Sequence, residues 1–200
     1  MIKRSFDLCF AIIGILLLLP FFLIISIVIK IESKGPVFFV QERVGQNNID
    51  FNLYKFRTMY EGSQQKGLLT IGNNDSRTTK VGSFLRKFKF DELPQLFNII
   101  KGNMSFVGPR PELRYFVNFY KNEDFEVLKL KPSITGIATL KYINESELIK
   151  ASTNAEAYYI NEIIPDKLRL NKRYLEEKSF CLDIKLILLT LNKLFKIVVF

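Results

Sequence analysis

From Leu8 to Ile29 the chain runs 22 residues without a charge, between Asp7 and Lys30. As a straight helix this run would reach roughly 33 Å, about the hydrocarbon thickness of a bilayer. It is long for a signal-peptide core, and no small-residue cleavage site follows, so a membrane-inserted helix is expected. Pro20 lies mid-run, where it lacks an N–H and its ring clashes with the carbonyl of Leu16, so a kink is expected there. Lys3 and Arg4 precede the run, and Lys30 and Lys34 follow it. Cations mark the cytoplasmic side, so similar flanks favour a helix that enters, bends at Pro20 and returns. A simple span also fits a proline kink. Ser26 is a candidate partner for backbone groups freed at the bend.

Beyond Gly35-Pro36 the pattern changes period. Val37–Val40 reads as a short strand, Gly45-Gln46-Asn47-Asn48 as a turn, and Phe51–Met59 as a second strand. Strict alternation would put Lys55 and Arg57 on one face, able to grip a diphosphate or simply to meet solvent. Residues 61–76 are polar and read as a mobile loop. Val81–Phe88 reads as a short helix carrying Arg86, and Glu112–Tyr120 as another. Lys131–Gly136 is a Pro/Gly loop, and 145–178 form two charged, mostly helical stretches. From Phe180 to Phe200 apolar residues cover most of the helical surface, with Lys185, Lys193 and Lys196 interspersed. That segment suits a membrane surface, the flank of the membrane helix, or the inside of the domain.

Composition narrows the chemistry. Lys and Arg number 29 against 20 acids, a net charge of +9, in a chain that is 48% hydrophobic with 19 Phe. This is neither a disordered nor a nucleic-acid-tail composition, and it suits an anionic membrane surface or phosphorylated ligands. No nucleic-acid reading module is recognisable. Cys9 and Cys181 lie among apolar residues without CxxC spacing and read as reduced packing residues. Histidine is absent, which removes the usual general base and the usual metal ligand. Carboxylates and cations must carry any catalysis, which points toward phosphate chemistry.

The acids that stand out are Asp91 and Glu92, followed by Leu93-Pro94-Gln95-Leu96-Phe97-Asn98. Asp91 is placed to cap a helix through Ile100, with Pro94 in its first turn and Gly102 at its end. A carboxylate there is held ionised by the helix dipole and nearby N–H donors. On local sequence alone, a plain cap is the simpler reading. Gly108-Pro109-Arg110-Pro111 stiffens the backbone on both sides of one guanidinium, which can then face phosphate oxygens in a fixed direction, or form a rigid surface turn.

In succession these pieces resemble the bacterial sugar transferase family, the monotopic phosphoglycosyl transferases that act on polyprenyl phosphate. The matching residues begin with Lys3-Arg4, Phe6-Asp7, Gly35-Pro36-Val37-Phe38-Phe39, Gln41, Arg43 and Gly45. They continue through Tyr54-Lys55-Phe56-Arg57-Thr58-Met59, Gly82, Leu85-Arg86, Asp91-Glu92-Leu93-Pro94-Gln95-Leu96 and Gly102. Met104 to Pro111, Pro132, Ile134-Thr135-Gly136, Ser179-Phe180 and Leu182-Asp183-Ile184-Lys185 complete the series. No one motif decides the matter, but their colinear order over nearly the whole chain is specific.

The resemblance implies an α+β, mainly helical fold. Residues 1–34 would form the re-entrant membrane helix. Residues 35–200 would form a compact cytoplasmic catalytic domain with a small β-hairpin and amphipathic interfacial helices, at the inner membrane. It implies transfer of a sugar-1-phosphate from a UDP-sugar to undecaprenyl phosphate, with UMP released and Mg²⁺ required, as the first membrane step of glycan assembly. Asp91 would be the nucleophile, forming a phosphosugar intermediate, and Glu92 the magnesium-associated acid. Lys55, Arg86 and Arg110 would be the functional cations, and Asp183 an acid that orients the site. Phospholipids are expected partners, nucleic acid is not, and a homodimer is left open.

Several positions depart from the family pattern: Asn103, Lys131, Ser133 and the stretch Ile137–Tyr142. They spare the acidic pair but remove a basis for naming uracil- or sugar-contacting residues. The absence of further membrane helices leads us to expect a minimal catalytic unit. The competing reading is an inactive member that scaffolds glycan-assembly enzymes.

Overall fold

The structure is a computed structural model that describes residues 2–63 and 75–199. Its first element, α1 (Ile2–Glu32), contains Pro20 and runs as one helix. Among the described residues it is the helix long and apolar enough to cross a membrane. Ala11, Phe22, Ile25 and Ile29 are buried along one stripe, while Leu17 on the opposite side is 75% exposed. Helical periodicity therefore gives α1 a face against the rest of the chain and a broad apolar face turned away from it. Ser26 donates to Phe22 O at 2.7 Å, so its hydroxyl serves the preceding turn and not Leu16, whose carbonyl Pro20 leaves unpaired.

Both ends of α1 are fastened to the same domain. Near its start, Arg4 donates to Ile99 O at 2.7 Å and to Ile100 O at 3.0 Å. At its end, Arg57 donates to Ser33 O at 2.8 Å and also to Lys34 O, and Glu32 accepts from Val81 N at 3.1 Å. Arg57 thereby satisfies carbonyls that a helix C-terminus leaves unpaired. Lys55 and Arg57 therefore share neither a phosphate grip nor a solvated face, the two readings that alternation left open. The strand ends at Phe56, and the Arg57 guanidinium turns back to α1.

The hairpin pairs β1 (Phe38–Val44) with β2 (Asp50–Phe56), Phe38 opposite Phe56 and Val44 opposite Asp50. Its turn takes Asn47 and Asn48 to φ 56° and 64°, a left-handed conformation that asparagine tolerates. Next come α2 (Lys80–Lys87), a 3₁₀ turn at Phe90–Glu92, and α3 (Gln95–Lys101). Gly102 closes α3 at φ 86°, where a side chain would be strained.

A short parallel pair joins β3 (Ser105–Val107) to β4 (Ser133–Thr135). Between them lie α4 (Arg114–Val117) and a 3₁₀ stretch at Asn122–Lys129. Only one turn of the helix expected over Glu112–Tyr120 forms. The remainder is α5 (Ile137–Lys141), α6 (Glu145–Lys150), α7 (Ala155–Tyr158), a π-helical segment at Tyr159–Ile163, α8 (Ile164–Glu177) and α9 (Phe180–Val199). The fold is thus mainly helical with small sheets. Of the loop expected at 61–76, residues 64–74 lie outside the described residues.

Candidate active site

Asp91 and Glu92 occupy the 3₁₀ turn that precedes α3, and both are buried. Asp91 does not cap α3. Pro94 holds that position, and Asp91 sits one turn earlier. Lys89, at φ 60°, reverses the chain ahead of the turn, and Glu92 N donates back to Lys89 O at 3.2 Å. Phe90 and Leu93 pack into the apolar cluster around Phe22 and Phe56. The acids are thus held between two apolar anchors, and both residues line a cavity of about 1260 Å³.

The two acids meet different surroundings. Glu92 Oε1 accepts from Lys55 Nζ at 3.1 Å and from Arg110, which also donates to Oε2 at 3.1 Å. Burial alone would raise its pKa. The charges of Arg110 and Lys55, with the Arg110 hydrogen bonds, hold it well below the ordinary glutamate value. Asp91 Oδ1 is buried and has no hydrogen-bond partner among the described residues. Its pKa is pushed up by burial, against the opposing pull of Lys55 and with a further upward push from Glu92. One acid is locked and ionised; its neighbour is bare.

The cations come from separate elements. Lys55 projects from β2, and burial depresses its pKa although Glu92 works the other way. Arg110 is aimed by the loop after β3: Ser133 N donates to Pro109 O at 2.8 Å, and Gly108 N donates to Thr135 O at 3.0 Å. A Cβ on Gly136 would meet Gly108 O at 2.1 Å, so only glycine permits this crossing of backbones. Arg86, on α2, lines the same cavity but donates to Thr58 Oγ1 at 2.8 Å. Its charge reaches Asp91 without a direct bond.

Asp183 is elsewhere. It accepts from Lys3 Nζ and from the Tyr174 hydroxyl, each at 2.6 Å, and it is absent from the cavity wall. It joins α9 to the start of α1, so the structure brings Lys55, Arg86, Asp91, Glu92 and Arg110 together and leaves Asp183 outside.

Sequence reasoning passed over a second buried charge cluster behind Arg110. Glu112 accepts from Lys167 Nζ at 3.0 Å and from the Tyr159 hydroxyl at 2.8 Å, and Lys167 also pairs with Glu145 at 2.5 Å. Arg43, quoted earlier only as a matching residue, donates to Pro111 O at 3.2 Å. An acid directly after Pro111 was the one available signal. Lys167 and Tyr159 had none, since a π-helical turn delivers Tyr159 to this point.

Comparison with known proteins supplies the affiliation. The family described as "Bacterial sugar transferase" matches residues 1–197. The chain belongs to that family. Among its relatives is a UDP-N-acetylgalactosamine-undecaprenyl-phosphate N-acetylgalactosaminephosphotransferase of Aeromonas hydrophila, 42% identical over 164 residues, which are 80% of this chain and 39% of the relative. A putative undecaprenyl-phosphate N-acetylgalactosaminyl 1-phosphate transferase of Bacillus subtilis is 44% identical over 61% of this chain and 68% of its own length. An undecaprenyl-phosphate glucose phosphotransferase of Komagataeibacter xylinus is 34% identical over 96% of this chain and 35% of its own. The chain thus spans about two fifths of the length of the Aeromonas and Komagataeibacter proteins. Within the bacterial sugar transferases it carries the cavity with its acidic pair and cations.

Proposed function

We propose that this protein is a phosphoglycosyl transferase that moves a sugar-1-phosphate from a UDP-sugar to undecaprenyl phosphate and releases UMP. The observation that carries the reading is the bare Asp91 oxygen next to a Glu92 already locked by Lys55 and Arg110. A nucleophile must be free to leave its ground-state contacts, and its neighbours must be fixed before the substrate arrives.

In the first step the Asp91 carboxylate attacks the β-phosphorus of the donor. The bond from that phosphorus to the bridging oxygen breaks, and UMP departs with the electron pair. The product is a mixed anhydride between the Asp91 carboxyl and the sugar phosphate. In the second step a phosphate oxygen of the acceptor attacks the same phosphorus, and the Asp91 carboxylate leaves. Arg86 and Arg110 offset charge on the transferring phosphoryl group, which would otherwise repel an incoming carboxylate. Burial of Lys55 and Glu92 strengthens these interactions relative to water.

The donor set fits a magnesium ion brought in with the diphosphate. No cluster of three metal-ligating side chains occurs among the described residues, and magnesium commonly uses one or two carboxylates with substrate oxygens and water. Glu92, with lone pairs beyond those facing Lys55 and Arg110, would hold it, and bound there it would supply charge neutralisation at the diphosphate.

For the membrane, we infer that residues 1–34 form a re-entrant wedge bent at Pro20 and that 35–200 form a cytoplasmic domain at the inner membrane. The support is that both ends of α1 bond to one domain, and that cations flank both ends. An exposed apolar face covers the side of α1 turned away from that domain. The related proteins named for exopolysaccharide production, such as that of Rhizobium meliloti, support a place at the start of polysaccharide assembly. An inactive scaffold has no reason to keep a bare carboxylate beside a locked one.

The test is UMP release in nanodiscs across a panel of UDP-sugars with undecaprenyl phosphate and magnesium. We expect turnover with at least one donor, and loss of at least about a thousandfold in Asp91→Asn. Normal turnover in that variant would remove Asp91 from the nucleophile role.

A further inference from the structure

The ionic cluster behind the Arg110 loop has no part in the transfer steps above, yet it is built with care. Glu112, Tyr159 and Lys167 are all buried. Glu112 Oε1 accepts from Lys167 Nζ at 3.0 Å, and its two carboxylate oxygens accept from the Tyr159 hydroxyl at 2.9 and 2.8 Å. The same hydroxyl accepts from Lys167 Nζ at 2.9 Å, which closes the three side chains into a ring. Burial alone would raise the pKa of Glu112, but the charges of Lys167 and Arg43 hold it below the ordinary glutamate value. Packed apolar residues in place of a buried ion pair are often as stable or more so, so stability does not account for the cluster.

The helix is reshaped to complete it. Tyr159 and Lys167 are eight residues apart, which on a regular α-helix leaves two side chains about 80° out of line. The wider π-helical turn Tyr159–Ile163 lies between them, and both reach Glu112. Single π turns within α-helices recur at functional sites.

The cluster reaches Arg110 through the chain. Glu112 follows Pro111, whose fixed φ leaves little play between Arg110 and the buried carboxylate. From the opposite side, Arg43 donates to Pro111 O at 3.2 Å, and Val44 N donates to Glu112 O at 2.9 Å. Arg43 is itself held by Gln41 Oε1 at 2.7 Å. The hairpin thus grips the backbone of this segment while α8 grips its side chain. The charge of Glu112 also offsets that of Arg43, a buried cation near enough to repel Arg110.

We propose that Glu112 is a positioning residue for phosphoryl transfer: tied to Lys167 and Tyr159, it fixes the Pro109-Arg110-Pro111 turn from the α8 side and sets the direction of the Arg110 fork. This role rests on the functional reading above and adds what keeps Arg110 aimed. The Glu112 carboxylate is occupied by Lys167 and Tyr159, so it works through Arg110 and not on the donor. Misplacing a charge-stabilising group by an ångström costs up to about a hundredfold in rate. Arg110 offsets charge that develops during transfer, so the loss belongs in kcat.

The experiment is a double-mutant cycle on UMP release in nanodiscs, with wild type, Glu112→Gln, Arg110→Lys and the double variant. Glutamine keeps the shape of the side chain and removes its charge. We expect Glu112→Gln to lower kcat by about ten- to thirtyfold with donor KM within about twofold of wild type. Beside Arg110→Lys, where no fork remains to be aimed, the same change should cost less than about threefold. Damage to the fold alone would lower activity by one factor in both backgrounds.

If Glu112→Gln does not fold, Tyr159→Phe replaces it in the same cycle, with a loss of about fivefold expected and the same collapse of that loss beside Arg110→Lys. Equal losses in both backgrounds, a loss confined to KM, or an unchanged kcat would overturn the positioning role. Absence of UMP release from wild type with every donor would instead defeat the functional reading itself, a separate outcome.

Discussion

Replacing Asp91 and Glu92 by their amides is expected to move stability in opposite directions, although the two are adjacent. Burial raises the folded-state pKa of Asp91 above its ordinary value of 3.8. A group shifted upward stabilises the fold fully below its unfolded pKa and loses that contribution as pH rises through the folded value. At neutral pH the ionised Asp91 is therefore a cost, and Asp91→Asn removes it. A buried charged oxygen without a partner costs about 1–2 kcal/mol after the attraction of Lys55 is set against it. In a domain of this size that corresponds to a rise of roughly 2–8 °C in the unfolding midpoint. Glu92 has the reverse sign, because its folded pKa lies well below 4.5. Its stabilisation is present above the unfolded value and fades as pH falls through the folded one. Glu92→Gln strands Lys55 and Arg110 beside a neutral amide. Breaking a buried pair on this scale costs about 3 kcal/mol, a drop of roughly 6–12 °C. The assay is thermal unfolding followed by circular dichroism at pH 7, since the chain has no tryptophan. An Asp91→Asn protein that melts at or below wild type would refute the reasoning.

Three further outcomes follow from the same geometry. The pH profile of UMP release should be bell-shaped, with an acid limb above the ordinary aspartate value of 3.8 because Asp91 must ionise, and a basic limb below 10.5 because burial lowers Lys55; an acid limb at or under 3.8 would contradict this. Arg110→Lys keeps the charge but cannot reach both Glu92 oxygens as the fork does, so donor kcat/KM should fall by about ten- to a hundredfold, and an unchanged value would show that the fork is dispensable. Arg57→Gln should free the end of α1 from its carbonyl partners, costing about 2 kcal/mol and speeding proteolysis around residues 33–37, whereas wild-type protease resistance would deny Arg57 its capping role.

What the sequence disclosed depended on how local the determining physics was. The apolar run of α1, the hairpin, the Gly102 terminus and the stiff prolines on either side of Arg110 all arise from neighbours within a few positions, and each was legible, whereas the aiming of Arg110 also needs Ser133, Thr135 and Gly136. The fate of Arg57 was not, because its carbonyl partners lie more than twenty residues away in sequence. Lys55 and Arg110 were named as cations, but their convergence on Glu92 needed β2 and the loop after β3 to meet at one turn. Asp91 was misplaced by one helical turn, because a 3₁₀ segment and a helix start share the same preference for acids and an early proline. The parallel pair of β3 and β4 is three residues long on each side, too short for an alternating pattern to register. The Glu112–Lys167 cluster joins residues 55 apart, and nothing near either one announces the other.

The central claim is that Asp91 itself carries the phosphosugar between donor and acceptor. The direct measurement is mass spectrometry of the protein incubated with its UDP-sugar and magnesium in the absence of acceptor lipid. The account predicts a sugar-phosphate adduct on the peptide containing Asp91, discharged when undecaprenyl phosphate is added and missing from Asp91→Asn. UMP released only when both substrates are present, with no adduct on Asp91 at any time, would contradict it.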